Sequence, residues 1–363
     1  MKVIQIVTNL NVGDAIGNDI LAIDETLSEA GYDSRIMSLT IHEQLSHRAS
    51  NVDFTAIQPD DLVIFHKATG DSFGNCAASL KCVKGIIYHN ITPPRFFLGY
   101  DNVMAWNLWR GRNQLKKLAG IMDFGWGDST YNCQELARAG FAKEKLAVLP
   151  ILFPKGDAQA LPDAATVKQL KTRKGARLLF IGRVASNKKH EDLIKLYCHY
   201  LRDVDPDATL YLVGSWAGFE KYYAKLKGFA ADIGLRDDQV VFTGRVSEEE
   251  KAAYLSCADV YVCMSEHEGF CVPLLEAMHR DVPVAAYASS AVPETLGDNG
   301  LLFARKDYPE IARQIGRVCR DGAFRRQVIE RQRASVARFD GDRTRARLLE
   351  LVGRVTEDGR AKG

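Results

Sequence analysis

The sequence predicts an α/β protein built from two doubly wound parallel sheets that face each other across a cleft. Short β-branched or apolar runs alternate with amphipathic stretches from end to end, a pattern typical of parallel strands covered by helices. Each half opens with a hydrophobic strand that runs into a glycine-containing loop, where doubly wound domains bind their ligands. A length of 363 residues is sufficient for two such domains, each with its own hydrophobic core.

Composition excludes several classes of protein. With 46% hydrophobic and 26% charged residues, the chain is neither disordered nor fibrous. Its 48 basic and 46 acidic side chains are too evenly balanced for a protein that binds nucleic acid along its length. No run approaches the roughly 20 apolar residues that span a bilayer, and the apolar start of the chain is interpreted as a first strand rather than a signal peptide. The eight cysteines form no C-x-x-C pair, so we expect reduced thiols in a cytoplasmic protein.

The expected strands follow in order. A helix between the first two strands is supported by Ile20, Ile23, Leu27 and Ala30 at helical spacing, with Gly31 to end it. The predicted strands of the first half are Lys2–Thr8, Ser34–Leu39, Asp61–His66, Gly85–His89, Gly120–Asp123 and Leu146–Leu149. Those of the second half are Arg177–Gly182, Thr209–Gly214, Val240–Gly244, Asp259–Met264, Val282–Tyr287 and Leu301–Phe303.

Prolines and glycines between these two series mark the domain boundary. Pro150, Pro154, Gly156 and Pro162 interrupt any regular element there. We expect a first domain over residues 1–155, a linker over 156–174 and a second domain over 175–335. Residues 336–363 are expected to form a closing helix and tail.

The most informative segment runs from Glu266 to Met278 and follows a predicted strand. Pro273 suits the first position of a helix, where its missing N–H costs nothing. Glu268 would then lie in the loop and Glu276 about one turn inside the helix. The backbone N–H groups near 270–272 form an anion or hydroxyl site at the helix N-terminus. Two carboxylates beside such a turn suit a ligand with phosphate charge and vicinal hydroxyls.

Two cations flank another loop after a predicted strand. Arg183 follows Gly182, and Lys188 comes five residues later, where the next helix begins. A planar guanidinium and a point-charge ammonium across one such loop can hold a diphosphate without a metal.

In the first half, His89 ends a strand before a Pro-Pro turn and is expected to donate to a hydroxyl or move a proton near neutral pH. The loop with Gly13 and Gly17 lacks the G-x-G-x-x-G pattern of dinucleotide sites.

Taken together, E-G-F-C-V-P-L-L-E-A-M around Glu268 and Glu276 and the upstream G-R-x-x-x-x-K resemble the retaining glycosyltransferases of family 4, the glycosyl transferases group 1, which have the GT-B fold of two Rossmann-like domains. The resemblance covers nearly all of the second domain and includes F-T-G-R-V-S at 242–247 and the Val213-Gly214 turn. In the first domain it is limited to the opening strand and the Tyr88-His89 strand end.

The resemblance implies a set of roles. Arg183 and Lys188 would neutralise the donor diphosphate, Glu268 would hold hydroxyls of the transferred sugar, and Glu276 would bind the ribose diol. His89 would contact the donor sugar or the acceptor, and with Glu268, Arg183 and Lys188 it completes the expected catalytic set. Cys271 stands where many relatives carry glycine, so its thiol narrows the pocket. The expected donor-binding residues are Gly13, Arg183, Lys188, Gly214, Arg245, Val246, Glu268, Gly269, Phe270, Cys271, Val272 and Glu276.

The implied reaction is transfer of a hexose, with a slight preference for mannose, from a GDP- or UDP-sugar to a saccharide or lipid-linked acceptor in polysaccharide or glycoconjugate synthesis. No side chain stands out as a nucleophile, which is consistent with a front-face retaining mechanism, and no metal or other cofactor is expected. A nucleotide-sugar epimerase of the same fold and a catalytically silent nucleotide-sugar binding subunit are the alternatives. A dehydrogenase is disfavoured because the dinucleotide motif is missing.

A helix over residues 104–118 interleaves aromatic and basic side chains. Trp106, Trp109, Arg110 and Arg112 form a hypothetical surface for weak contact with the inner face of a membrane. The opposing interpretation is an ordinary amphipathic helix with buried tryptophans and outward lysines.

Overall fold

The structure, a computed structural model, describes residues 1–153, 160–297 and 300–360. Its chain falls into two units. The first contains Met1–Arg95, Val103–Ala158 and Phe339–Gly363, and the second contains Phe96–Asn102 and Gln159–Arg338. The predicted junction between residues 155 and 156, and the first residues of the predicted linker, lie outside the described residues.

The first unit has a seven-stranded sheet in the order β3-β2-β1-β4-β5-β6-β7, and every paired strand is parallel to its neighbour. The strand order reverses between β1 and β4, which creates a crevice at their carboxyl ends. The strands are β1 (Lys2–Leu10), β2 (Asp33–Ile41), β3 (Ser50–Asn51), β4 (Leu62–Lys67), β5 (Val83–Tyr88), β6 (Phe124–Gly127) and β7 (Leu146–Val148). The helices are α1 (Ala15–Glu29), α2 (Gly74–Ser79), α3 (Asn102–Leu118) and α4 (Thr130–Ala139), with α13 (Gly341–Arg360) from the end of the chain.

The core of the first unit depends on the two ends of the chain. Ile20, Ile23 and Leu27 of α1 are fully buried, as their helical spacing predicts, and Gly31 follows the helix at φ +87°. Leu348 and Leu351 of α13 are buried in the same core cluster as Ile23 and Leu27. The last helix is therefore a structural part of the first unit.

The strand predicted at Gly120–Asp123 lies four residues later in the structure, as β6. Gly120–Asp123 was expected to form it, but the N–H groups of Ile121 and Met122 both donate to the Leu118 carbonyl, which extends the end of α3 as a turn. Pairing with β5 begins where the Asp123 N–H donates to the Lys84 carbonyl, and the strand itself runs over Phe124–Gly127.

The second unit has a six-stranded sheet in the order β10-β9-β8-β11-β12-β13, again parallel throughout. Here the strand order reverses between β8 and β11. The strands are β8 (Arg177–Ile181), β9 (Thr209–Val213), β10 (Val240–Gly244), β11 (Val260–Cys263), β12 (Val284–Tyr287) and β13 (Leu301–Phe303). The helices are α5 (Ala164–Lys171), α6 (His190–Asp203), α7 (Glu220–Asp232), α8 (Glu248–Cys257), α9 (Val272–His279), α10 (Val292–Leu296), α11 (Tyr308–Arg320) and α12 (Gly322–Val336).

Local sequence signals set several helix ends. Ser247 and Glu250 form a reciprocal capping box at the start of α8. Asp321 accepts hydrogen bonds from the first turn of α12. Helix α9 begins at Val272, so Pro273 is its second residue rather than its first; both positions leave the missing proline N–H without cost.

Helix α3 exposes its tryptophans. Trp106 and Trp109 are 59% and 50% exposed, and their rings stack with centroids 4.7 Å apart. Gly111 does not break the helix; a Cβ there would lie 2.5 Å from the Gly70 nitrogen, so glycine permits a close backbone approach. The interpretation with buried tryptophans is therefore wrong. Across the described ranges, no helix combines the length and apolar character needed to cross a bilayer.

Candidate functional site

Three loops at the carboxyl ends of β8, β9 and β10 are held together by backbone hydrogen bonds. The Gly182 N–H donates to the Val213 carbonyl at 2.9 Å, and the Gly214 N–H donates to the Gly244 carbonyl at 3.0 Å. An ideal Cβ on Gly214 would lie 2.1 Å from the Gly182 carbonyl oxygen, and its φ is +151°. Glycine at position 214 thus allows the loop that carries Arg183 and Lys188 to approach β9.

The predicted residues Lys188 and Glu268 are brought together beside the point where the strand order of the second unit reverses. The Lys188 Nζ lies 2.7 Å from Oε1 and 2.6 Å from Oε2 of Glu268. The Lys188 side chain is 23% exposed and that of Glu268 is 7% exposed. Burial lowers the pKa of Lys188, but the Glu268 carboxylate more than offsets this and the pKa is raised overall. Lys188 is therefore a fixed ammonium at neutral pH.

Hydrogen bonds from neighbouring loops position Glu268. The Asn187 side-chain amide donates to the His267 carbonyl at 3.0 Å, and the Glu266 N–H donates to the Asn187 carbonyl at 2.9 Å. On the other side, the Glu268 N–H donates to the Ser290 hydroxyl at 2.7 Å. The loop after β11 is thus joined both to the loop after β8 and to the loop after β12.

The turn into α9 has an unusual backbone. Cys271 precedes the helix at φ +72°, a left-handed conformation that glycine adopts far more easily than cysteine. The Thr295 hydroxyl donates to the Phe270 carbonyl at 2.5 Å and holds the turn from α10. The N-terminus of α9 therefore lies beside Glu268, and its positive dipole end favours negative charge.

Glu276 is paired with a lysine, Lys251, that was not predicted from the sequence. Lys251 of α8 donates to the Glu276 Oε1 at 2.9 Å and pairs with Glu248 at 2.6 Å. The Glu276 side chain is 25% exposed. Each predicted carboxylate thus has an ammonium partner in the second unit.

The remaining predicted residues of the second unit occupy strand ends and loops. Arg183 is exposed, with its guanidinium carbon 5.9 Å from the centre of the Phe219 ring. Arg245 is exposed and Val246 half-buried directly after β10. The structure thus brings the cationic loop and the two-glutamate segment to the same end of one sheet, with Arg183 and Arg245 exposed there.

His89, the predicted catalytic residue of the first unit, is buried and both its ring nitrogens are engaged. Its Nδ1 lies 3.1 Å from Asp128 Oδ2, and its Nε2 lies 2.8 Å from His66 Nδ1. His66 Nε2 in turn lies 3.0 Å from Gln5 Oε1. This differs from the expected imidazole with a nitrogen available to a ligand, because the side chain is satisfied within its own unit.

Gln5, His66, His89 and Asp128 form a row of hydrogen-bonded side chains in which each donor and acceptor is defined. Gln5 Nε2 donates to the Ile20 carbonyl, so its Oε1 is the atom that faces His66 and accepts from the protonated His66 Nε2. Burial lowers the pKa of His66 well below its usual value, so the ring is neutral and its bare Nδ1 accepts from His89 Nε2. Burial opposes charge on His89, but Asp128 raises the His89 pKa overall. The raised pKa of His89 favours its imidazolium form beside Asp128, while burial also raises the pKa of the Asp128 carboxyl.

A second buried carboxyl, that of Asp19, lies near His89 and Asp128. Burial raises the pKa of Asp19 to about 7, a shift that His89 opposes and Asp128 reinforces. Asp19 Oδ1 accepts the Leu152 N–H at 2.6 Å. Sequence reasoning missed these partners, although each had a weak signal: His66 lies near the end of the apolar strand β4, Asp128 directly follows β6, and Asp19 lies beside the apolar face of α1.

Two groups of described residues have side-chain atoms close enough to hold a metal ion. Asp19, His66 and His89 form one group, and Cys263, Glu268 and Cys271 form the other. In the first, the two histidines already bond to each other. In the second, Lys188 occupies both oxygens of Glu268 and supplies the positive charge that an ion would bring.

The second unit, which contains the Lys188–Glu268 pair, is similar to known glycosyltransferases. Residues 163–335 match the family model described as glycosyl transferases group 1. A 2-deoxystreptamine glucosyltransferase of Streptomyces kanamyceticus is 31% identical over 217 residues, which cover 58% of this chain and 53% of that protein. O-antigen chain mannosyltransferase B of Escherichia coli is 26% identical over 195 residues, covering 54% and 49%. The chain thus spans about half the length of these curated relatives.

Among solved structures, Anabaena HepE in complex with UDP and glucose superimposes with a TM-score of 0.75, covering 98% of this chain and 100% of that one. At 17% identity this likeness concerns the fold. The two parallel α/β units have the GT-B fold. The match to the glycosyl transferases group 1 lies within the second unit, over residues 163–335.

Proposed function

We propose that the protein is a retaining glycosyltransferase that moves a hexose from a nucleotide diphosphate sugar to a saccharide or lipid-linked acceptor. The observation that carries this proposal is the Lys188–Glu268 pair beside the α9 N-terminus, at the strand-order reversal of the second unit. A cation, a dipole end and a sugar-binding carboxylate meet there. The glucosyltransferase and mannosyltransferase relatives support the same reaction class.

In this proposal, Lys188 stabilises the leaving diphosphate. Negative charge grows on the diphosphate as the bond to the sugar breaks, so an ammonium already fixed at the site binds the transition state more tightly than the ground state. Glu268 fixes the Lys188 ammonium in place and presents its carboxylate to the sugar hydroxyls. Arg183, exposed on the same loop, adds a second cation for the phosphates.

The rest of the donor is assigned to neighbouring elements. Glu276, one turn inside α9, accepts the two hydroxyls of the ribose, and Lys251 holds its carboxylate. The turn at Arg245 and Val246 after β10 receives the base. The backbone at 269–272 contacts the sugar and phosphates. In the first unit, the loop of Gly13 is assigned to substrate, and the two His89 nitrogens bond to His66 and Asp128 of the same unit.

The reaction is proposed to need no metal, because Lys188, Arg183 and the α9 dipole supply the positive charge. Retention is assigned to a front-face path in which the leaving phosphate takes the proton of the acceptor hydroxyl, because no side chain at this site is placed as an obvious nucleophile. Mannose from GDP-mannose is the preferred donor sugar, as the E. coli relative is a mannosyltransferase. A UDP-sugar is the alternative, since HepE was solved with UDP and glucose.

A thermal-shift panel tests this proposal. GDP-mannose, UDP-glucose, UDP-N-acetylglucosamine and NADH are added separately, each with and without EDTA. A ligand at about 100 times its Kd stabilises the folded protein by about 2.7 kcal/mol, so the true donor raises the melting temperature. We expect one nucleotide sugar to do so equally with and without EDTA. Stabilisation by NADH alone would overturn the class of ligand, and a shift that EDTA abolishes would overturn metal independence.

We also propose that α3 rests on the surface of a membrane. Val103, Trp106 and Trp109 follow one another at three-residue spacing and are all at least half exposed, with Arg110 exposed beside them. Arg112 was expected in this surface but bonds instead to Glu135 and to the Ile91 carbonyl. The proposed contact therefore excludes Arg112.

Co-sedimentation with anionic vesicles tests the membrane contact. Wild-type protein should bind the vesicles, and the variant Trp106→Ser/Trp109→Ser should lose that binding because its apolar face is gone. Leu161→Ser is the matched control, since it removes an 81% exposed apolar side chain of the second unit. Equal binding by all three proteins, or no binding by wild type, would contradict the proposal.

A further inference from the structure

Two buried cysteines lie beside the Lys188–Glu268 pair, and their thiols have no part in the proposed reaction. Cys263 ends β11 and is fully buried, and Cys271 precedes α9 with 7% exposure. Both sulfur atoms and a Glu268 carboxylate oxygen lie within 4.8 Å of one another. The Cys263 thiol donates to the Ser265 hydroxyl at 3.4 Å. Both cysteines are free thiols in the structure.

We propose that Cys263 and Cys271 are a modification site, at which a peroxide converts the two thiols into a reversible disulfide. The two sulfurs are already neighbours, and a disulfide needs them about 2.05 Å apart. The segment between them is Met264–Phe270, which contains Glu268. The bond would therefore close a short loop around the predicted sugar-binding carboxylate.

The step balances without any further reagent. One sulfur attacks the peroxide, breaks its O–O bond and becomes a sulfenic acid as the first water leaves. The second sulfur then displaces the hydroxyl group, the S–S bond forms and a second water leaves. The two thiols lose two electrons and two protons, and the peroxide accepts them. An added dithiol reverses the change by exchange.

The surroundings favour this chemistry. Only a thiolate is nucleophilic, and the Cys271 thiol, by donating a hydrogen bond, lowers the pKa of Cys263. The hydrogen bond with Cys263 and burial raise the pKa of Cys271 well above its ordinary value, so Cys271 is the neutral donor of the pair. Cys263 is therefore the sulfur that attacks the peroxide, and Cys271 is the thiol that then displaces the hydroxyl group.

The consequence of the disulfide follows from the turn that Cys271 occupies. Its φ of +72° places the thiol and the start of α9 in one conformation that Thr295 holds through Phe270. Drawing the two sulfurs together must shift this turn, because Cys263 is fixed in the sheet by its pairing with Ala286. We expect donor binding to weaken, and this part of the inference rests on the proposed function.

The test compares reduced and peroxide-treated full-length protein. Peptide mass spectrometry should find Cys263 linked to Cys271 by loss of two hydrogens, and a dithiol should remove the link. The affinity for the nucleotide sugar identified by thermal shift should fall about tenfold or more on oxidation and recover on reduction. Cys263→Ala and Cys263→Ser should bind the nucleotide sugar equally before and after peroxide. Cys257→Ala, which removes another buried cysteine of the same unit, should respond like wild type.

The outcomes separate the two proposals. Absence of the Cys263–Cys271 peptide in folded, peroxide-treated protein overturns the modification site, whatever the protein binds. A complete link with unchanged affinity overturns the effect on the donor site. If the reduced protein binds no nucleotide sugar, the proposed function fails, while the mass spectrum still decides whether the disulfide forms.

Discussion

The double variant Lys188→Met/Glu268→Gln should remain folded and lose about 100- to 1,000-fold in kcat, the cost typical of removing one fixed group that stabilises developing charge. The side chains are close in size to the originals, and both charges leave together, so no unpaired charge stays buried. Release of nucleoside diphosphate from the donor measures the rate. Circular dichroism and melting temperature check the fold.

The single variant Lys188→Ala should behave differently in stability. It leaves the Glu268 carboxylate, 7% exposed, without its ammonium partner. Breaking a buried pair in this way costs about 3–5 kcal/mol, and the partial exposure of Lys188 places the expected loss near the lower end. The contrast between the single and double variants therefore separates the role of Lys188 in stability from its role in the reaction.

Lys195, on the helix that follows the Lys188 loop, provides the control. Lys195 pairs with Asp192 at 3.1 Å but is 43% exposed, so Lys195→Met should change neither the fold nor the rate appreciably. Near-normal turnover in the Lys188→Met/Glu268→Gln variant would show that this pair is not the site of the reaction.

Gly214→Ala is expected to have the largest effect on the second unit. The new Cβ would lie 2.1 Å from a backbone oxygen, that of Gly182, and neither strand end can yield without losing its hydrogen bonds. Overpacking and backbone strain together should cost about 2–5 kcal/mol of unfolding free energy. Urea unfolding measures the loss, and hydrogen exchange of peptides from β8 to β10 should locate it there.

Gly218→Ala isolates the contribution of the backbone dihedral. Gly218 also has a positive φ, +82°, but an added Cβ there meets nothing within 4 Å. Replacing Gly218 with alanine should lower the unfolding free energy only by the cost of the left-handed conformation, about 1–2 kcal/mol. Similar losses in the two variants would mean that the close approach of Gly214 to Gly182 does not matter.

The sequence predicted most of the fold because strands and helices in this chain carry strong local patterns. Apolar runs and helix-ending glycines, such as Gly31, mark their own positions. The sixth strand was misplaced because Gly120–Asp123 contains apolar residues that serve the end of a helix. Strand β3, over Ser50–Asn51, was missed because two polar residues at a sheet edge show no alternation.

The site was predictable only where its residues lie within one motif. Glu268 and Glu276 occur in a single segment, and Lys188 follows a strand end by a short loop. Lys251 could not be found in this way, because its contact with Glu276 depends on two helices that pack in three dimensions. The same holds for His66 and Asp128, whose engagement of both His89 nitrogens changes what the imidazole can do.

The use of α13 in the first core has a consequence for biosynthesis. Leu348, Leu351 and Val352 complete that core, so the amino-terminal unit cannot finish folding while these residues are still inside the ribosome. The unit encoded second ends at Arg338 and can close earlier. In a chain that is made from its amino terminus at about 5–20 residues per second, the core of the first unit thus receives its last residues only after the second unit has been translated.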